Sequence, residues 1–234
     1  MGRVVTFAEL AAAISPITSG DTTRFAAEHL RLAAEEAISD VVPAGSDAYL
    51  FVLGGAAMLE AAGGSLPVPP QAFAALPEGT AYSFRNVGTE TLTAIRVLAT
   101  SPSLDGYRGP VTVTNRAEVT PLLLAEEKKQ RIYFVAPKAN VVSPRAHAMI
   151  VIYEQETITP LHHHPDAESM FVLLEGAISF VINGEPAEVR PGQAAYFTIN
   201  DRHSLRVVDG HREAAFLEFH LPAAFTTVKE YFPA

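Results

Sequence analysis

Slid along itself by 121 residues, this 234-residue chain meets its own turns a second time. Without a gap, Leu53 falls on Leu174, Gly55 on Gly176, Ala56 on Ala177, Gly63 on Gly184, Val68 on Val189, Pro70 on Pro191, Ser83 on Ser204 and Arg85 on Arg206. Glycine and proline carry most of the signal. Glycine supplies positive φ and proline ends a strand, so the repeated object is a set of β turns. The chain is therefore expected to fold as two copies of one β unit, over residues 1–105 and 141–234. A turn-rich linker over 106–140 should join them, with a short helix in TPLLLAEEKKQ, where Thr120 is the cap and Pro121 the first turn.

Strand signals are clearest in the second copy. AMIVIYEQ from Ala148, FVLLEGAISFVI from Phe171, AAYFTI from Ala194 and AAFLEFHL from Ala214 are short and rich in β-branched or aromatic residues. Asn183-Gly184 after FVI predicts a two-residue hairpin, because a type I′ turn needs positive φ at both central positions. In the first copy, RFAAEHLRLAAEEA has the composition of a helix, but the offset sets it opposite AMIVIYEQ. A strand over His29 to Ala33 follows.

Composition narrows the chemistry. Seventeen basic against 26 acidic residues leave a formal charge of −9, which repels phosphate backbones and anionic membrane surfaces. Nucleic acid and membrane are thus not expected partners. Without cysteine there is no disulfide, thiolate ligand or cysteine nucleophile, so a metal must be held by histidine, carboxylate or amide. No export signal is read in the first twenty residues, and a soluble, cytoplasmic monomer or homodimer is expected.

The chemistry concentrates in TPLHHHPDAESMFVLLEG, which holds three of the eight histidines. On an extended strand, His162 and His164 face one side and His163 the other. Glu168 can return to the first side after a turn at Pro165, and His203 lies on a segment that a rolled sheet can bring alongside. Three neutral imidazoles and a carboxylate suit one divalent ion such as Fe, Mn, Ni, Co or Zn. Tyr153, Phe180 and Leu205 are candidate pocket residues beside it, and His220 with Glu218 alternates on one face of a neighbouring strand. His29, His147, His211 and His220 have no ligand spacing and are expected at the surface or an edge.

The spacing resembles the two motifs of the cupin superfamily. The first is Gly, five residues, His-x-His, three or four residues, Glu, six residues, Gly; here it reads Glu156, His162, His164, Glu168 and Gly176. The second, Gly, five residues, Pro-x-Gly, two residues, His, three residues, Asn, reads Gly192, Thr198, Asn200, His203 and Val207. Glu156, Thr198, Asn200 and Val207 depart from the pattern, and one residue too many separates Glu168 from Gly176, an excess that a β-bulge would absorb. The first copy keeps Pro77, Gly79 and Asn86 but has Val41, Pro43, Asp47 and Tyr82 where the ligands would be.

The resemblance implies an all-β bicupin of two tandem jelly-roll barrels, the first without metal ligands and the second with His162, His164, Glu168 and His203 on a divalent ion. It further implies a dioxygenase-type enzyme acting on a small chelating enol, diketone or catechol-like substrate. Glu168 is then a candidate proton acceptor. Isomerase, lyase or cyclase chemistry by enolate stabilisation, or non-catalytic binding of a small molecule, are the alternatives.

Overall fold

The computed structural model describes residues 2–230, which divide into two compact units, neither continuous in sequence. One comprises the chain up to Glu9, Pro121–Tyr133 and the chain from His147 onward; the other comprises Leu10–Thr120 and Phe134–Ala146. Regular structure is almost wholly β, with 3-10 turns at Phe7–Glu9, Arg116–Glu118 and Ala125–Glu127.

The duplicated turns bound duplicated strands. Ala57–Ala61, Gly64–Val68, Ala72–Leu76 and Leu92–Thr100 of one unit recur at the same offset as Ile178–Ile182, Glu185–Val189, Gln193–Phe197 and Glu213–Leu221 of the other. Gly55 and Gly176 show why the turns persist. Both have positive φ, and a Cβ there would sit 2.9 Å from the Leu92 Cα and 2.3 Å from the Glu213 carbonyl oxygen respectively. The expected hairpin is present: Asn183 and Gly184 have φ of 52° and 94°, and Ile178–Ile182 pairs antiparallel with Glu185–Val189.

Each unit is a pair of antiparallel sheets sharing one apolar core, and no sheet closes on itself. Among the described residues the strands divide between two facing sheets in each unit, the arrangement of the expected jelly-roll type. In the histidine-bearing unit a sheet containing Gln193–Phe197, Glu168–Glu175, Glu213–Leu221 and His147–Glu154 faces one built from Glu185–Val189, Ile178–Ile182, His203–Val207, Ile158–His163 and Val228–Lys229. Between them lie Phe171, Phe180, Phe197 and Phe216, all at least 96% buried. Each contributes about 1.5–3 kcal/mol by leaving water.

The strand expected over His29 to Ala33 is present as Phe25–Leu32, paired along its length with Leu92–Thr100 despite its helical composition. Two other local expectations change. The linker helix is replaced by the strand Leu122–Leu124, paired with Lys129–Arg131, and one 3-10 turn closed by Lys128 in the left-handed region. Arg3–Thr6, expected in the first copy, pairs with Gln193–Phe197 of the histidine-bearing unit.

In the other unit, Tyr82 stands at the position equivalent to His203, and its hydroxyl accepts a 2.9 Å hydrogen bond from Arg96. Arg96 is buried and also donates to Glu28 at 2.6 Å and Asp40 at 3.0 Å. Here a side-chain cation with its own counter-charges fills part of the region that carries imidazoles in the second copy.

Candidate metal centre

His162 is the next-to-last residue of the strand Ile158–His163, His164 follows the strand, and His203 opens His203–Val207 directly opposite His162 in register. The three side chains are buried, and one ligand atom of each lies within 4.8 Å of the others. Ring centroids are 4.2 Å apart for His162 and His203, 5.1 Å for His162 and His164, and 5.5 Å for His164 and His203.

The outer nitrogens fix how these rings present themselves. Nδ1 of His162 lies 2.8 Å from the Pro160 carbonyl oxygen, Nδ1 of His164 lies 2.9 Å from that of Thr226, and Nδ1 of His203 lies 3.0 Å from that of Asp201. A carbonyl only accepts, so each Nδ1 carries the proton and each Nε2 is left with its lone pair. Nε2 of His164 and of His203 is buried without a hydrogen-bond partner. Burial pushes the pKa of His162 down, that of His164 down to about 4 and that of His203 well below its ordinary value, so the rings are neutral at pH 7. Neutral, oriented and unsatisfied imidazole nitrogens are what a borderline divalent ion binds, and the carbonyl partners are the outer contacts that hold such ligands in place.

Two polar turns set these carbonyls. Asp201 accepts from the Thr198 backbone N–H and hydroxyl, both at 2.7 Å, and from the Asn183 amide at 2.7 Å. Thr226 is held by Asp166, which accepts its N–H at 2.8 Å and its hydroxyl at 2.7 Å. The segment after Thr226 then pairs Val228–Lys229 with His162–His163. His163 points away from the other imidazoles, as alternation requires, and meets Glu230 at 3.2 Å, which also accepts from Arg202 at 2.7 Å.

The other anticipated residues separate. Glu168 is buried, yet it is not a member of the group of converging ligand atoms. A bulge does occur in its strand, between Leu173 and Glu175, beyond the segment where the inward face is set. Tyr153, Phe180 and Leu205 belong to the apolar core between the sheets: the Tyr153 hydroxyl bonds Thr159 at 2.5 Å, and Phe180 packs edge-on to Phe171 with centroids 5.7 Å apart.

Several contributors were hidden in the alternation of strands. The Phe197 ring stacks on His203 at 4.2 Å. Phe225 meets His164 edge-on at 5.0 Å and stacks on His220 at 4.1 Å. His220 is buried 5.1 Å from His164, and its Nε2 lies 2.5 Å from the Glu218 carboxylate. Burial raises the Glu218 pKa, but His220 and the neighbouring cations more than offset it and hold the group below its ordinary value. His29 and His220, both expected at the surface or an edge, are buried. The sequence signal for His220 and Glu218 was their period of two, which leaves the face undecided.

Residues 149–220 match the family model for the cupin domain. The fold is similar to that of a protein from Pseudomonas aeruginosa described as glyoxylate induced, at 20% identity and a TM-score of 0.76, covering all of this chain and 91% of that one. It is similar to a cupin 2 conserved barrel domain protein from Leptotrichia buccalis, at 16% identity and a TM-score of 0.70, covering 94% of this chain and 96% of that one. It is also similar to the oxalate decarboxylase of Lactobacillus farciminis in complex with formate, at 12% identity and a TM-score of 0.71, covering 97% and 88% of the two chains. No curated protein matches the chain in sequence. The chain thus has a cupin fold, with a buried histidine triad able to bind a metal in the unit that contains the matched stretch.

Proposed function

We propose that this protein is a metal-dependent cupin enzyme of dioxygenase type acting on a small chelating substrate such as an enol, a diketone or a catechol-like diol. The observation that carries the reading is the convergence of three neutral, buried imidazoles whose outer nitrogens are all committed to backbone carbonyls. A divalent ion held there by His162, His164 and His203, whether Fe, Mn, Ni, Co or Zn, supplies Lewis acidity toward chelating oxygens and, as iron, electrons to dioxygen.

The chain's own residues prepare that chemistry. The carbonyls of Pro160, Asp201 and Thr226 keep the rings in one tautomer and one orientation. Phe171, Phe197 and Phe225 surround them with apolar surface, which limits water and strengthens every electrostatic interaction inside. The other unit, with Tyr82 and Arg96 in place of ligands, has a supporting role in this reading.

The His220 and Glu218 pair favours a second reading, isomerase, lyase or cyclase chemistry by enolate stabilisation, because it brings a proton acceptor into the same interior. Metal analysis followed by oxygen uptake with a panel of diketones, flavonols and aromatic diols separates the two. Uptake that is lost with His162, His164 or His203 supports the oxygenase; anaerobic turnover of an enolisable substrate supports the second reading. A loaded protein that does neither is a binding protein.

A further inference from the structure

The strand Glu168–Glu175 has two faces, and the one toward the histidines can be read from its neighbours. Phe171 and Leu173 lie in the core between the sheets, whereas Met170 and Val172, though buried, are outside that core. With a period of two, Ser169 shares the face of Phe171, and Glu168 takes the opposite one. The bulge in this strand begins only after Leu173 and cannot reverse that assignment.

Cross-strand register places Ser169 independently. It is directly opposite Phe197 on one side and His220 on the other. Phe197 stacks on His203, and His220 meets His164. Residues opposite one another in a sheet share a face, so Ser169 is flanked on both sides by groups in contact with the triad. Its hydroxyl oxygen is fully buried and has no hydrogen-bond partner. Counting back six intervening residues from Gly176 also arrives at Ser169, not Glu168.

The duplicated copy gives the same answer. Asp47, at the position equivalent to Glu168, is turned away from its own core. It accepts from the Tyr107 N–H at 3.0 Å, from the Ser143 hydroxyl at 2.5 Å and from Arg145 at 3.2 Å. Ala48, equivalent to Ser169, lies in that core.

Resting on the metal-centre reading above, we propose that the centre is a three-imidazole site in which Ser169 occupies the fourth inward position, no protein carboxylate binds the ion, and the substrate is a small chelating anion. Three uncharged donors leave the full charge of a divalent ion inside a desolvated sandwich, where a chelator bearing negative charge is favoured far more than in water. Glu218, the acid nearby, is committed to His220. A carboxylate-bearing chelator supplies the missing charge and fills the positions that an absent protein carboxylate leaves open.

The test is a Co²⁺ titration of the full chain and of Glu168→Gln and Ser169→Asp, read by the cobalt d–d spectrum and the Kd, followed by titration of the loaded proteins with oxalate as a chelating dianion. Glu168→Gln should keep the wild-type spectrum and a Kd within about threefold. Ser169→Asp should alter the spectrum, tighten Co²⁺ at least tenfold and weaken oxalate at least tenfold, since the new carboxylate both binds and neutralises. A changed spectrum with a tenfold loss of Co²⁺ affinity in Glu168→Gln would overturn the proposal, as would Ser169→Asp that alters neither ligand. Should Glu168→Gln fail to fold, the Ser169→Asp arm decides. Wild-type protein that takes up no Co²⁺ would instead remove the metal reading itself.

Discussion

The Nδ1 of His164 donates to the carbonyl oxygen of Thr226 at 2.9 Å, across 62 residues of sequence. Thr226 is in turn fixed by Asp166, two residues from His164, so a closed loop of hydrogen bonds holds the His164 ring in register. Replacing Asp166 with Ala frees Thr226 and lets the ring of His164 turn. Metal affinity should fall about 10- to 100-fold, the usual effect of losing an outer partner. Asp166→Asn, which keeps one acceptor oxygen, should recover part of it. Metal titration checks this; equal affinity in Asp166→Ala and wild type would show that the loop does not position His164.

Burial is the leading cause that lowers His29, His147 and His164 to about 4 from an ordinary value of 6.5. Between these limits the unfolded chain binds protons that the folded chain does not, so stability is fully present above about pH 6.5 and is lost as the pH falls toward 4. The melting temperature of chelator-treated protein should therefore drop between pH 7 and pH 5, before carboxylates titrate. A flat melting profile over that interval would contradict the burial of these rings.

Gly176 has a φ of 74°, and a Cβ there would lie 2.3 Å from the Glu213 carbonyl oxygen and 2.9 Å from the Ala214 Cα. Gly176→Ala combines left-handed strain with a backbone clash and should cost about 2–4 kcal/mol. Urea unfolding measures it. Gly63→Ala, also at positive φ but with nothing within 4 Å of the added carbon, should cost less.

Arg96 should be structural. Removing it by Arg96→Met leaves the partly exposed Glu28 and Asp40 carboxylates and the buried Tyr82 hydroxyl without their common donor, and the loss, felt mostly at the buried hydroxyl, should cost about 1–2 kcal/mol. Metal content should be unchanged. Denaturant unfolding and metal analysis of the same sample test both halves; loss of metal in Arg96→Met would give this network a role the account does not assign.

Much of this was legible because turns and ligands leave short-range marks. Asn183-Gly184, Gly55 and Gly176 name their own backbone geometry, and His162, His164 and His203 carry a spacing that alternation makes meaningful. Faces and distant pairings leave no such mark. Glu168 and Ser169 are adjacent, and only the register against Phe197 and His220 shows which one faces the triad. Arg3–Thr6 finds its partner almost a full chain away, at Gln193–Phe197. TPLLLAEEKKQ favours a helix locally, but its leucines pair as a strand with Lys129–Arg131, so tertiary pairing overrides propensity.

The central claim is that His162, His164 and His203 bind one divalent ion together. Element-by-element quantification of the purified protein, beside His203→Ala loaded in the same way, tests it most directly. The account predicts close to one ion per chain in the wild type and almost none in His203→Ala, with both proteins folded by far-UV circular dichroism. Undiminished metal in His203→Ala, or none in a wild type offered each candidate ion, would contradict it.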